Sequence, residues 1–490
     1  MTSSIAWGLA QPMTSSIAWG LALAMTSSLA FAQTDSSAND GRRWLAGDHH
    51  VHSRFSARYT PDPAAPGAPP VPQLGGDGNH TIIQNAEAAH RYGLSWMVST
   101  DHGGPLHARL NAEQAWPELL LARESVPGLI LFYGMEFDTP GAEHSSLIIP
   151  RSTHEREDLL QIESRYGRRQ PWPEDPARDT EAFMLEALRD IAAMDPRPVM
   201  VTNHPSRSAT GLGEYGEVRP HQLRDWSEIT PRVVIGMEGA PGHQADGLFA
   251  DGRPDPAGSR GIYRRFPTMG GFDQMTARLG GVWDSLLGEG RRWWITATSD
   301  SHTHISEGGD DFWPGEYAKT YVMARADGAD ILDGLREGRV FVTTGDLISG
   351  LDMTVTAGGR TATIGGALAG GGEDIVVTLR VRDPRAANAG GQTPSVNHID
   401  LIVGDVSPQG ADRDADTNPT TRVERRFTAA DWTVDGEVLT MTHRLPASGG
   451  PRYLRVRGTS GTETEPLVDT PGEDPWSDLW FYGNPVFLTE

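Results

Sequence analysis

The sequence predicts an α/β fold in which repeated strand–helix units close into a barrel, followed by an all-β sandwich. Three observations predict it. From Trp44 to about Ser349, short β-like runs alternate with amphipathic helical ones, the pattern of a parallel α/β architecture. Beyond Gly350 the texture changes to the period-two runs LDMTVTA, DIVVTLRV, HIDLIVG and RYLRVRG, separated by Gly-, Asp- and Pro-rich turns. Of the sixteen histidines only His398 and His443 fall in that second part, so the chemistry belongs to the first.

Taken in order, the expected strands are Leu45 to Val51, Ser95 to Thr100, Leu129 to Glu136, Ser145 to Ile149, Pro198 to Asn203, Val233 to Glu238 and Trp293 to Ser299. Each is a short apolar run bounded by polar or turn-forming residues. Between them Ile82 to Tyr92, Ala112 to Val126, Thr180 to Met194 and Phe272 to Leu287 carry apolar residues at three- and four-residue spacing and read as helices. The segment Ala57 to Asn79 is crowded with Pro and Gly, has no periodicity, and is expected to form an irregular flap beside the first strand.

At 490 residues the chain is long enough for two domains, and its composition is that of a loop-rich globular protein. The net charge of −23, from 42 Lys and Arg against 65 Asp and Glu, would repel a phosphate backbone, and nucleic acid is expected to be an unlikely partner. Lys319 is the only lysine, and no P-loop motif occurs. There are no cysteines, so any metal must be held by nitrogen and oxygen. The N-terminus repeats MTSSIAWGLA at Met1 and Met13, and the apolar run ends in Ala30-Phe31-Ala32 before Gln33. That small-x-small ending reads as a secretory leader over residues 1–32, although no Lys or Arg precedes it, and a periplasmic or secreted protein is expected. The barrel is then assigned to 33–349 and the sandwich to 350–490. No later stretch approaches the roughly 18 apolar residues of a membrane span.

The chemistry lies at the ends of the strands. Asp48-His49-His50-Val51-His52 closes the first, and alternation puts His50 and His52 on one side of it, as a metal clamp requires. The second ends in Ser99-Thr100-Asp101-His102 and the third in Gly134-Met135-Glu136-Phe137. His144 opens the fourth, Thr202-Asn203-His204-Pro205 closes the fifth, and Ser299-Asp300-Ser301-His302 closes the last. In a parallel barrel all carboxyl ends surround one mouth, where such folds build their sites.

This ordered set resembles the polymerase-and-histidinol-phosphatase (PHP) domain, whose motifs are an HxH, a TDH, a Glu, a downstream His, an NHP-like turn and a closing DxH. The resemblance covers about Trp44 to Ser349, and the terminal Trp480-Phe481-Tyr482-Gly483-Asn484-Pro485 is similar to the end of the β-rich appendage of secreted members. It implies a distorted TIM-like (β/α)7 barrel and two or three divalent metal ions. One would be held by His50, His52, Glu136 and Asp300, and a second by Glu136, His144 and His204, with Glu136 bridging. A third would take His102, His302 and a ligand from the loop after the first motif. The chain departs from the family there: Ala57 and Arg58 stand near the usual ligand, and Asp77 is the expected replacement, with His80 as fallback.

Imidazole and carboxylate ligands suit Mn, Zn or Fe. The resemblance implies a metal-dependent phosphoesterase working through a metal-bridging hydroxide on a small phosphate ester. A diester is expected in preference to a monoester, because a dianionic monoester gains most from three metals, the third site is where the chain departs from the family, and the acidic chain offers only two Arg candidates. Amide or ester hydrolysis by the same centre and a non-catalytic binding role are the alternatives. Asp101 is expected to orient ligands or shuttle a proton, and His304 to protonate the leaving group. Arg54 and Arg207, which follow the HxH and NHP motifs, are expected to grip the phosphate. Glu238, in Gly236-Met237-Glu238-Gly239, is expected to line the pocket.

Overall fold

All seven runs expected as strands form in the computed structural model, which describes residues 41–369, 373–407, 412–447 and 449–489. The expected leader over 1–32 lies outside the described residues. The seven are β1 (Arg43–Asp48), β2 (Trp96–Ser99), β3 (Ile130–Phe137), β4 (Ser145–Ile149), β5 (Val199–Thr202), β6 (Val234–Ala240) and β7 (Trp294–Ala297). Two strands that the sequence reading did not resolve follow, β8 (Ala318–Ala324) and β9 (Val340–Thr344). The expected helix over Phe272 to Leu287 is broken into Gln274–Ala277 and Val282–Gly288, because Gly280 between them takes a positive φ of 71°.

The expected parallel barrel is corrected in two respects. First, β4 runs antiparallel to both β3 and β5. The connection from Phe137 to Ser145 is shorter than the dozen or so residues a parallel crossover needs, so the chain can only turn back. This reversal is what brings His144, at the start of β4, to the edge where β2, β3 and β5 end. Second, the sheet does not close. Its order runs β9-β8-β1-β2-β3-β4-β5-β6-β7, and no backbone ladder joins β7 to the other end among the described residues. A single parallel bridge, Val51 to Ser301, with His52 N donating to Ser301 O at 2.9 Å, and several side chains span the gap instead. Thr320 Oγ1 on β8 accepts from Ala297 N at 2.9 Å and donates to Ala297 O at 2.7 Å, and Asn484 Oδ1 accepts from Ile295 N at 3.0 Å.

The region after 350 is all-β. It contributes β10 (Gly350–Ala357), β11 (Ile375–Arg382), β12 (His398–Asp405), β13 (Arg422–Thr428), β14 (Val438–Leu445), β15 (Arg452–Thr459) and β16 (Trp480–Thr489). Strands β10, β11 and β14 form the centre of a second, five-stranded sheet flanked by the short strands Arg360–Thr363 and Thr433–Asp435, with alternate residues such as Leu351, Met353, Val377 and Leu379 buried. Strands β16, β15, β12 and β13 extend the first sheet, because β16 pairs antiparallel with β9. No helix among the described residues is long and apolar enough to cross a membrane.

A buried ion pair fastens this region to the helix before β7. Arg455 Nε and Nη2 each donate to Asp284 at 2.7 Å, Tyr453 Oη adds a third bond at 3.1 Å, and the guanidinium lies 4.7 Å from the centre of the Trp283 ring. Both charged side chains are at most 1% exposed. Asp284→Ala leaves Arg455 buried without its counter-ion and is expected to cost about 3–5 kcal/mol. Urea denaturation of the variant and the parent protein measures it, and an unchanged midpoint would show that the pair does not hold these elements together.

Candidate metal centre

The strand ends converge on Glu136. Its Oε1 lies 3.1 Å from His50 Nε2, 3.2 Å from His144 Nδ1 and 3.0 Å from His204 Nε2. Its Oε2 lies 2.7 Å from His102 Nδ1 and 3.6 Å from His52 Nε2. Asp300 Oδ1 lies 3.0 Å from both His50 Nε2 and His52 Nε2, and these two nitrogens are 3.0 Å apart. Opposite them, His102 Nε2 stands 3.2 Å from His302 Nε2 and 3.3 Å from Asp77 Oδ2. The structure thus brings together all nine residues expected as ligands.

Hydrogen bonds settle which nitrogen faces the centre. His50 Nδ1 lies 2.7 Å from Glu238 Oε1, an acceptor, so Nδ1 carries the proton and Nε2 presents a lone pair. His302 Nδ1 donates to the Asp300 carbonyl at 2.8 Å, with the same result. His52 Nδ1 is 2.8 Å from Ser56 Oγ, whose own proton goes to Asp101 Oδ1 at 3.0 Å, so His52 must donate to the serine. Two lone pairs, on His50 and His52, then face each other. Such a contact is relieved by a cation between them, or by a proton on His50, which Asp300, Glu136 and Glu238 favour.

Further observations fit divalent ions. Metal–ligand bonds of about 2.0–2.2 Å place neighbouring ligands about 3.0–3.5 Å apart, as they are around Asp300 Oδ1. Glu136 Oε2, Asp300 Oδ1 and the Nδ1 atoms of His102, His144 and His204 are buried without a hydrogen-bond partner among the described residues. His102 Nδ1 and Glu136 Oε2 approach to 2.7 Å without hydrogen-bond geometry, which is how two ligands of one ion sit. The triads His50/His52/Glu136, His52/His102/His302 and His102/Glu136/His144 could each hold a metal. Burial pushes the Glu136 carboxyl up, but the imidazoles of His144, His102 and His50 outweigh it and hold the group well below its usual range.

The backbone is shaped for this convergence. His204, His243 and Asp300 have φ of 29°, 53° and 48°, in the left-handed region that costs a non-glycine residue energy. Asp48 ties the end of β1 to the end of β7, accepting from His50 N and Ser299 N at 3.0 Å each, and burial pushes its carboxyl up to about 7.

No family model and no curated protein matches the chain. Two solved structures are similar to it. One is a lesion-specific endonuclease, endonuclease Q from Pyrococcus furiosus, 14% identical with a TM-score of 0.29 over 60% of this chain and 56% of that one. The other is endonuclease Q in complex with a 27-mer duplex substrate carrying an abasic lesion at the active site, 17% identical with a TM-score of 0.22 over 42% of this chain and 46% of that one. The chain spans about half the length of each. The expectation from net charge that nucleic acid is an unlikely partner is withdrawn on this finding: both are endonucleases, one of them bound to a duplex.

Four residues expected to assist the chemistry are placed differently from one another. Arg207 reaches the centre, with Nη1 3.7 Å from Asp300 Oδ2 and Nη2 4.0 Å from Glu143 Oε2. Asp101 does not touch the ligand cluster directly. It accepts from Ser53 N at 2.6 Å and from Ser56 Oγ, and so orients His52. Arg54 is paired with Glu118, on the helix Trp116–Ser125, which also accepts from Ile82 N; its guanidinium is tied to the outer wall. His304 is turned to Glu316 and Ser306 and stacks on Trp313. The fallback His80 packs against the same tryptophan and bonds Glu307. The hydrogen bonds of His304 and His80 thus go to Glu316, Ser306 and Glu307, none of them an expected ligand.

Glu238, expected to line the pocket, does more than that, and three further members of the site were not singled out from sequence. Glu238 bonds His50 Nδ1, accepts from His204 N at 2.6 Å and from Thr298 Oγ1 at 2.8 Å, so it positions ligands from three elements. Asn203 donates to Glu136 Oε1 at 3.1 Å. His243 and Asp311, both buried in loops, stand behind Asp300. Glu238 carried a signal, its place at a strand end. His243 and Asp311 carried none that spacing could reveal.

Proposed function

We propose that the chain is a metal-dependent phosphoesterase that cleaves phosphodiesters, and that its nine convergent side chains hold two or three ions of Mn, Zn or Fe. The observation that carries this reading is Glu136, one buried carboxylate within 3.6 Å of five imidazoles on four different elements. Bound ions would supply Lewis acidity toward the phosphoryl group and a water acidified to near-neutral pKa. The protein's own residues do the rest. His50, His52 and His302 are oriented by Glu238, Ser56 and the Asp300 carbonyl. Arg207, whose side chain makes no hydrogen bond among the described residues, faces the cluster with its donors available for a phosphoryl oxygen.

Preference for the diester rests on two features. Arg207 is the one guanidinium of the two expected that faces the cluster, and Asp77, the ligand that would complete a third ion, is 34% exposed and shared with Arg58 at 3.6 Å. A dianionic monoester needs more positive charge than that. The test is side-by-side hydrolysis of bis-p-nitrophenyl phosphate and p-nitrophenyl phosphate by metal-stripped protein reconstituted with each ion. Faster turnover of the diester is expected. Preference for the monoester would reverse the substrate assignment, and failure of a fully metallated sample on both would move the reaction to carboxylic esters and amides.

A further inference from the structure

We propose that His243 and Asp311 form a positioning relay that fixes the Asp300 carboxylate, keeping its Oδ1 turned toward His50 and His52. His243 Nδ1 is bonded to Asp311 Oδ1, and His243 Nε2 lies 2.8 Å from Asp300 Oδ2. Asp311 is itself anchored: its Oδ2 accepts from the backbone amides of His302 and Thr303. One oxygen of Asp300 is thus held from behind while the other faces two ligand imidazoles at 3.0 Å each. Partners of this kind, one bond removed from the ion, commonly change metal affinity by about 10–100-fold when lost.

Two independent features of the chain serve the same contact. His243 and Asp300 both take the left-handed backbone, a strain that persists only where surrounding contacts over-determine it. Gly242 lets the loop lie directly on the strand end, because a Cβ there would fall 2.2 Å from Asp300 Cβ and from Ser299 O. The trio His243, His302 and Asp311 is not an ion position of its own. His302 Nδ1 is committed to the Asp300 carbonyl, and His243 Nδ1 to Asp311.

This inference rests on reading the cluster as a metal centre, but its test does not depend on the substrate. Mn affinity and stoichiometry are measured by chelator competition on the full chain, with circular dichroism as the control for folding. His243→Ala is expected to lose at least tenfold in affinity for one equivalent of metal. His243→Gln, whose amide can still donate to Asp300, is expected to recover most of it. Gly242→Ala, which adds a methyl group without removing any ligand, is expected to behave like His243→Ala. Wild-type affinity in folded His243→Ala would overturn the relay, and so would a Gln variant as weak as the Ala variant. If wild-type protein binds metal yet cleaves no phosphate ester, the proposed reaction fails while the relay is still decided by these affinities.

Discussion

Glu136→Gln is expected to abolish hydrolysis, lowering kcat/KM on the order of 10³-fold or more, equivalent to about 4 kcal/mol of transition-state stabilisation. The substitution conserves shape and removes one negative charge at the point where His50, His102, His144 and His204 meet. An amide offers a neutral oxygen and a nitrogen that cannot ligate, so the carboxylate proposed to serve two ions would become at best a weak ligand to one. Asn203, which donates to Oε1, and the backbone of β3 keep the side chain in place, so the fold is expected to survive. Kinetics and metal content measured together make the result interpretable. Activity within tenfold of wild type would refute the central role given to this carboxylate. Loss of activity with full metal content would instead assign Glu136 to the reaction itself.

The convergence of these residues was legible because most of them sit in a short motif at a strand end, where local sequence fixes both the element and its terminus. His50 and His52 share a face by simple alternation, and Glu136, His204 and Asp300 each follow an apolar run that forms a strand. Direction was less legible than position. The turn-back of β4 could have been read from the shortness of the segment between Phe137 and Ser145. The open seam between β7 and β8 could not, since it depends on Thr320 and Asn484, which come from strands far along the chain.

The same distinction separates the residues placed well from those placed badly. Arg207 follows its motif closely, and the sharp backbone turn at His204 directs it inward. Arg54 also follows its motif, yet Glu118 from a distant helix captures it. His304 is two residues from His302 of the cluster, but its direction is set by Trp313 and Glu316. His243 and Asp311 belong to loops whose course depends on packing against Ser299 and Asp300, so no periodicity announces them. Sequence spacing therefore identified residues in or just beyond the strands, and tertiary contacts decided the direction of side chains such as Arg54, His304 and His243 that lie further out on loops.

Removal of metal is expected to abolish activity and to lower thermal stability together. Glu136 and Asp300 are nearly inaccessible, and each retains a buried oxygen without a hydrogen-bond partner among the described residues. Buried carboxylates left without compensating charge are costly, and here the nearby compensation besides ions is the Arg207 guanidinium, 3.7 Å from Asp300 Oδ2, and protonation of the surrounding imidazoles. An ion that binds only the folded chain adds about 4 kcal/mol of stability at a thousandfold excess over its Kd. For a chain of this length that corresponds to a rise in Tm of about 4 °C per ion, so two ions give roughly twice that. Calorimetry on stripped protein titrated with Mn or Zn, read beside turnover, checks both effects. Recovery of activity and Tm at the same metal equivalents would tie the fold of the strand ends to the centre. A Tm that does not move on addition of metal would mean that the imidazoles and carboxylates satisfy one another, and the cluster would then be structural.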